Sequence, residues 1–201
     1  MEEFPKQKRE LSKEEVQELV IKIMKIIPNY CRIMRIMREI PPDFLVAGIK
    51  RIDLRKDIDE ELKKSKSKIT EIRFREIGFR IRDLNKKQKI NNDLRLKITR
   101  YKASEGDEYF LEFINKSNVL FGLCRLRIFK ENNELNAFIR ELHVYGQALS
   151  LGEKGKDFGQ HLGFGKKLLK KAEEIAKENK IKKIKVISGV GVREYYRKFG
   201  Y

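Results

Sequence analysis

The stretch Gln160-His161-Leu162-Gly163-Phe164-Gly165 runs without a break into Lys166-Lys167-Leu168-Leu169-Lys170-Lys171-Ala172-Glu173-Glu174-Ile175-Ala176, a glycine-rich turn opening an amphipathic helix. Two glycines two positions apart let a backbone approach a ligand with no β-carbon in the way. The first free N–H groups of the helix point at that ligand, with the positive end of the macrodipole behind them. A pyrophosphate fits such a cradle. The dinucleotide pattern of doubly wound sheets would need Gly-x-Gly-x-x-Gly after a strand, which this stretch does not offer.

Around this turn the chain alternates between helical and strand patterns. Ser12-Lys13-Glu14-Glu15 is a capping box, and Val16, Leu19, Val20, Ile23, Met24 and Ile27 recur at helical spacing until Pro28, which predicts a helix from Ser12 to Ile27. Tyr30 to Met37 sets Cys31, Ile33 and Ile36 against arginines and reads as a strand. Asp59 to Lys68 reads as a charged helix end and linker, and Ile69 to Ile77 as a strand. From Asp93 the pattern changes: Leu94, Leu96, Ile98 and Tyr101 alternate, and two β-rich runs, Tyr109 to Ile114 and Val119 to Phe129, flank the turn Asn115-Lys116-Ser117-Asn118. Asn132-Asn133 turns the chain again into a strand from Leu135 to Tyr145. After the glycine-rich helix come a strand over Lys183 to Ile187 and a short helix over Val192 to Lys198.

The charge balance points to a polyanionic partner. The 47 Lys and Arg against 30 Asp and Glu leave +17. Arg80, Arg82, Lys86, Lys87, Lys89, Arg95, Lys97, Arg100 and Lys102 face only Asp83 and Asp93, so this segment carries nine cations less two anions, +7. Such a segment releases counterions on meeting phosphates and binds with strong salt dependence. A surface rich in Lys, Glu and Ile, as in hyperthermophile proteins, is the other source of this composition. No apolar run reaches membrane-spanning length, and Met1 is followed by Glu2, Glu3 and a mostly charged stretch, so the expected location is cytoplasmic with no membrane partner. Cys31 and Cys124 are far apart in apolar surroundings and read as buried small hydrophobes in a reducing compartment.

Three blocks carry a resemblance. They are Phe138-Ile139-Arg140-Glu141-Leu142-His143-Val144-Tyr145-Gly146, then Phe158-Gly159-Gln160-His161 with the turn after it, then Ile187-Ser188-Gly189-Val190-Gly191 followed by Tyr195-Tyr196-Arg197-Lys198-Phe199-Gly200-Tyr201. Gln-x-x-Gly-x-Gly resembles the acetyl-CoA signature of GNAT acyltransferases. The blocks in this order resemble the acetyltransferase domain of the Elongator catalytic-subunit family, the tRNA-modifying radical SAM acetyltransferases. Arg32-Ile33-Met34-Arg35-Ile36-Met37-Arg38, Asp53-Leu54-Arg55 and Ile72-Arg73-Phe74-Arg75-Glu76 look like the end of that family's radical SAM domain and its linker. The implied fold is α/β (α+β), a GNAT acyl-CoA N-acyltransferase domain over 93–201, preceded by a radical SAM barrel remnant over 1–60 and a basic linker over 61–92. With only two distant cysteines the chain cannot hold the iron–sulfur cluster, and neither histidine has metal-ligand spacing. The expectation is therefore no metal here, with SAM and cluster confined to a missing part of the parent. The family pattern also continues past Gly200-Tyr201 with a further strand.

The resemblance implies a site. Acetyl-CoA is the expected cosubstrate, held by Glu141, Leu142, His143, Val144, Gln160, Gly163, Phe164, Gly165, Lys166 and Tyr196. A phenol protonated at neutral pH makes Tyr196 a proton donor to the departing thiolate or a hydrogen-bond partner of the sulfur, with simple packing as the bland reading. Tyr195 is assigned to packing. Glu141 is the carboxylate that could activate water or an acceptor, and His143 a residue lining the acyl pocket; His161 could orient water or phosphate near the turn, while structural hydrogen bonding serves either histidine equally well. For RNA the candidates are Arg32, Arg35, Arg38, Arg80, Arg82, Lys86, Lys87 and Lys89, a solvated basic face being the alternative for the first three.

The implied partners are tRNA, the missing radical SAM domain and Elongator-type subunits. The implied function is the acetyl-CoA half of a tRNA wobble-uridine carboxymethylating enzyme, unable to complete the modification alone. Two alternatives stay open, a protein lysine acetyltransferase and a non-catalytic CoA-binding, RNA-docking module. The first would want an acidic patch for its cationic acceptor, and this chain is strongly basic instead.

Overall fold

The structure is a computed structural model that describes residues 11–37, 40–44, 53–65, 67–81, 93–145 and 163–201. The chain divides into two compact units, Met1–Phe74 and Arg75–Tyr201.

In the first unit, helix α1 (Lys13–Ile26) starts on the predicted capping box: the Ser12 hydroxyl accepts from Glu15 N and the Glu15 carboxylate accepts from Ser12 N. Helix α2 (Leu54–Lys64) buries Leu54, Ile58 and Leu62, one face at four-residue spacing. The polar centre of the unit is Glu71, fully buried, whose carboxylate accepts from Ile33 N at 2.7 Å and Phe74 N at 2.8 Å and receives Arg55 Nη2 at 3.4 Å. Arg55 Nε also reaches both oxygens of Asp59 at 3.0 Å. Burial raises the Asp59 pKa against the opposing pull of Arg55.

Two expectations fail here. Residues Tyr30 to Met37 form no strand; their backbone groups are met by the Glu71 side chain at Ile33 and by Ile72 N on the Cys31 carbonyl, so alternation is present without a ladder to join. Ile69 to Ile77 is not a strand either. It folds as two short helices, α3 (Ile72–Arg75) and α4 (Ile77–Ile81), because the Glu71 carboxylate takes the N–H of Phe74 three residues on, as a helix cap does. The β-branched and aromatic content of this segment mimics a strand.

The second unit is built on a five-stranded sheet of order β1-β2-β3-β4-β5, from β1 (Arg95–Ala103), β2 (Gly106–Ile114), β3 (Leu120–Glu131), β4 (Glu134–Val144) and β5 (Ile184–Val186). The first four are antiparallel neighbours and β5 runs parallel to β4. Two-residue turns at Ser104-Glu105 and Asn132-Asn133, all four residues at positive φ, match the twist of the flanking strands. Asn115 Oδ1 closes the third turn by accepting from Val119 N at 2.9 Å.

Helix α5 (Phe164–Glu178) crosses over between β4 and β5 and lies on one face of the sheet, with Phe164 5.0 Å from the Phe113 ring and Leu168, Leu169, Ala172 and Ala176 buried. The opposite face carries charge. Arg75, 3% exposed, meets Glu112, 0% exposed, at 2.8 Å, and Lys97 meets the same carboxylate at 3.1 Å. Arg75 of the predicted linker motif is thus a core residue of this unit.

Candidate functional site

The sheet opens beside α5. Strands β4 and β5 pair only over Ala137↔Ile184, Phe138↔Lys185 and Ile139↔Val186, with a last rung from Ile187 N to the Ile139 carbonyl at 2.9 Å. Beyond it β4 continues through Arg140 to Val144, paired with β3 on one side and carrying no β5 partner on the other. A sheet edge of this kind presents N–H and C=O groups to an extended ligand. The edge residues are those the sequence picks out, Glu141 to Val144.

Their side chains divide between the faces. Leu142 pairs with Cys124 and Val144 with Gly122, on the α5 side; Glu141 pairs with Arg125 and His143 with Leu123, on the other. Glu141 is held by Arg125, Nε to Oε2 2.7 Å. His143 stacks against Tyr145 with ring centres 4.4 Å apart.

The start of α5 faces the same opening. Gly163, its N-cap, adopts φ 66°, ψ 22°, and has no side chain with which to cap the first turn. That left-handed geometry suits glycine, and the N–H groups of the first turn have no carbonyl within the helix to bond. Lys166 and Lys167 are both exposed, with Lys167 Nζ 5.8 Å from the centre of the Phe164 ring. Gly165 is buried under helix α6 (Arg193–Arg197): a β-carbon on it would overlap the Tyr195 hydroxyl and come 3.7 Å from Val144 Cγ2.

Of the two adjacent tyrosines, Tyr195 is therefore the one whose hydroxyl reaches the glycine turn. It is 39% exposed, whereas Tyr196 is 8% exposed and packs edge-on against Tyr195 and Tyr201. Burial raises the pKa of both phenols, so each is a proton donor at neutral pH. Tyr201 ties the end of the chain to α5 by donating to Glu173 at 2.8 Å. Cys124 lies buried in β3, its thiol pushed up to about 12 by burial and then by Glu141.

The remaining predicted residues are scattered. Gln160, His161, Arg38, Arg82, Lys86, Lys87 and Lys89 lie outside the described residues. Arg32 and Arg35 are exposed in the first unit, and Arg80 is half-buried on α4. Sequence reasoning passed over Tyr195 at the turn, Arg125 on Glu141, and the placement of Arg140 by a register shift in β4. A shift of one residue leaves no mark in the residue types themselves.

Residues 79–201 match the acetyltransferase (GNAT) family. The chain belongs to that family. The sequence is 40% identical over 192 residues to a tRNA uridine(34) acetyltransferase of Dehalococcoides mccartyi, covering 91% of this chain and 41% of that protein. It is 35% identical to the human Elongator complex protein 3, over 94% of this chain and 36% of that protein. Among solved structures, Methanocaldococcus infernus Elp3 with an N-terminal deletion superimposes with TM-score 0.81 at 35% identity, over 94% of this chain and 46% of that one. The chain thus spans about two fifths of the length of the named relatives it matches.

Proposed function

We propose that this GNAT chain is the acetyl-CoA-binding acetyltransferase part of an enzyme that modifies uridine in tRNA. The observation that carries the reading is the opening between β4 and β5 with a glycine-led helix start beside it. Those two features fit the two ends of acetyl-CoA separately. The N–H groups of Phe164, Gly165 and Lys166 would hold the pyrophosphate, with the Lys166 and Lys167 ammonium groups adding charge. The edge of Glu141 to Val144, which has no second strand beside it among the described residues, would bond the amides of the pantetheine arm, and one of its N–H groups would polarise the thioester carbonyl. When bound, the cosubstrate supplies an activated acetyl group.

The protein's own part is proton supply and water control. Tyr195, at Gly165, and Tyr196, behind it, both keep their protons at neutral pH, and either hydroxyl can donate to a departing thiolate. Glu141, engaged by Arg125, enters as a base only if that ion pair opens.

The surplus of cations supports tRNA as the partner, since a peptide acceptor rich in lysine would be repelled. The same reading takes residues 1–60 as the end of a radical SAM domain, 61–92 as a basic connection and 93–201 as the acetyltransferase domain. It also takes the site of action as cytoplasmic, with Elongator-type subunits as further partners. The test is acetyl-CoA hydrolysis with and without tRNA, followed by release of the free thiol. Turnover stimulated by tRNA supports the enzyme; tight acetyl-CoA binding with no turnover under either condition supports a non-catalytic module, and acetylation of a lysine peptide without RNA supports a protein acetyltransferase.

A further inference from the structure

The sheet face opposite α5 carries a second feature that the acetyl-CoA reading does not use. Across the β3–β4 ladder the register runs Arg125↔Glu141 and then Leu126↔Ile139, so Arg140 is an extra residue, a β-bulge. Strict alternation would send Glu141 to this face and Arg140 to the other. The bulge brings both to the same side, where Arg140 Nη1 donates to Glu108 Oε1. Arg127 donates to the same oxygen at 3.0 Å, and its other bonds, to the carbonyls of Ala103 at 3.1 Å and Ser104 at 2.7 Å, pin the β1–β2 turn.

Glu108, 1% exposed, therefore anchors two guanidiniums with one carboxylate. Arg127 is consumed in that scaffold. Arg140 is not: its side chain is 45% exposed and, among the described residues, it engages Glu108 through Nη1 while its guanidinium carries further N–H donors.

A shallow depression of about 600 Å³ lies there, lined by Ser104, Arg127, Phe129, Phe138, Arg140 and Ile187. Its walls are of two kinds. Phe129 and Phe138 stack with centres 5.5 Å apart and, with Ile187 at 59% exposure, form an apolar surface; Arg140 and the Ser104 hydroxyl form a polar rim with no carboxylate among the lining residues. Lys185 Nζ stands 5.3 Å from the Phe138 ring and donates to Asn136 Oδ1 at 3.4 Å, placing a second cation beside the depression. The depression also has a definite position. Arg140 directly follows Ile139, whose carbonyl takes the last β4–β5 rung from Ile187, so the pocket opens at the point where the sheet splits, on the side away from α5.

An apolar wall with a part-exposed guanidinium and an ammonium beside it is the chemistry that takes an unpaired nucleotide, base against the rings and phosphate on the cations. We infer that this pocket is a nucleotide-binding site for an unpaired RNA strand, with Arg140 as its phosphate contact, set on the acceptor side of the acetyl-CoA opening. The inference rests on the acetyl-CoA and tRNA reading above and deepens it by naming the surface on which RNA meets the site.

The test is fluorescence anisotropy of a labelled anticodon stem-loop RNA against the whole chain, across a salt series, with acetyl-CoA affinity measured in parallel by calorimetry. Arg140→Ala should weaken RNA binding about tenfold and lower the salt slope by about one, while leaving acetyl-CoA affinity unchanged. Glu108 keeps Arg127 in that variant, so the fold is retained. Ser104→Glu, an exposed turn substitution, should weaken RNA binding in the same direction by placing an anion at the rim. Double-stranded RNA of equal length should compete poorly with the stem-loop. If the unmodified chain binds neither acetyl-CoA nor RNA, the underlying reading fails. If it binds both and neither substitution changes RNA affinity, or if Arg140→Ala weakens acetyl-CoA instead, this inference is overturned while the acetyl-CoA reading stands.

Discussion

The Tyr195 hydroxyl occupies the space that a β-carbon on Gly165 would need. Gly165 sits in the first turn of α5 and Tyr195 on α6, so this one contact ties the proposed phosphate cradle to the proposed proton donor. Gly165→Ala should therefore displace α6 and lower stability by about 1–3 kcal/mol, the usual cost of overpacking, with a fall in acetyl-CoA affinity. Pairing it with Tyr195→Phe removes the clashing oxygen, and the double variant should regain a measurable part of both losses. A double-mutant cycle by calorimetry and urea unfolding measures the coupling; strictly additive effects would mean that the two residues do not share that space.

Gly163 makes a different demand. Its φ of 66° asks for a left-handed residue, and among the described residues nothing stands within 4 Å of its β-position, so the constraint there is conformational. Gly163→Ala should cost about 1–2 kcal/mol and Gly163→Asn less, since asparagine tolerates that region better. Thermal unfolding of the two variants gives the order directly, and an alanine variant as stable as glycine would refute the strain.

Much of the second unit was legible in the sequence because its strands are rich in apolar and aromatic residues and bounded by strong turn residues. Asn132-Asn133, Asn115 to Asn118 and Gly163-Phe164-Gly165 each announced a chain reversal or a helix start. The misses have physical causes. Ile69 to Ile77 has strand-like composition but is turned helical by a buried carboxylate, Glu71, whose role depends on partners distant in sequence. Glu141 to Val144 could be placed on one edge, but the division of its side chains between faces depends on register. The bulge at Arg140 and the contact of Tyr195 with Gly165 exist only once strands and helices are assembled.

The Arg75–Glu112 pair tests how the sheet's charged face is held. Both side chains are buried, and removing the Glu112 charge takes a carboxylate from Arg75 and Lys97 together, although Asn118 Oδ1 still accepts from Arg75 at 3.2 Å. Glu112→Gln should destabilise the chain by about 3–5 kcal/mol, whereas Arg75→Met with Glu112→Leu should cost much less. Denaturant unfolding of the three proteins decides it. Equal losses for the single and double changes would show that packing, and not charge, dominates there.

Cys124 sets an alkaline limit. Its thiol titrates near 12 in the fold against an ordinary value near 9, because burial disfavours the thiolate. Below the ordinary value both states are protonated and the contribution is fully present. As pH rises from about 9 to about 12 the unfolded chain loses the proton while the folded chain keeps it, so stability falls at up to about 1.4 kcal/mol per pH unit. Cys124→Ala should show a shallower decline over that window than the unsubstituted chain in urea titrations, and parallel declines would contradict the assignment.

The central claim is where acetyl-CoA sits. Backbone amide chemical shifts followed during a titration of the isotope-labelled chain with acetyl-CoA report on that position residue by residue. The large saturable shifts should gather at residues 141–145 on the edge of β4 beyond its last β5 rung, at 163–167 on the first turn of α5, and at Tyr195 and Tyr196. Large shifts confined to other residues, or none at millimolar acetyl-CoA, would contradict it.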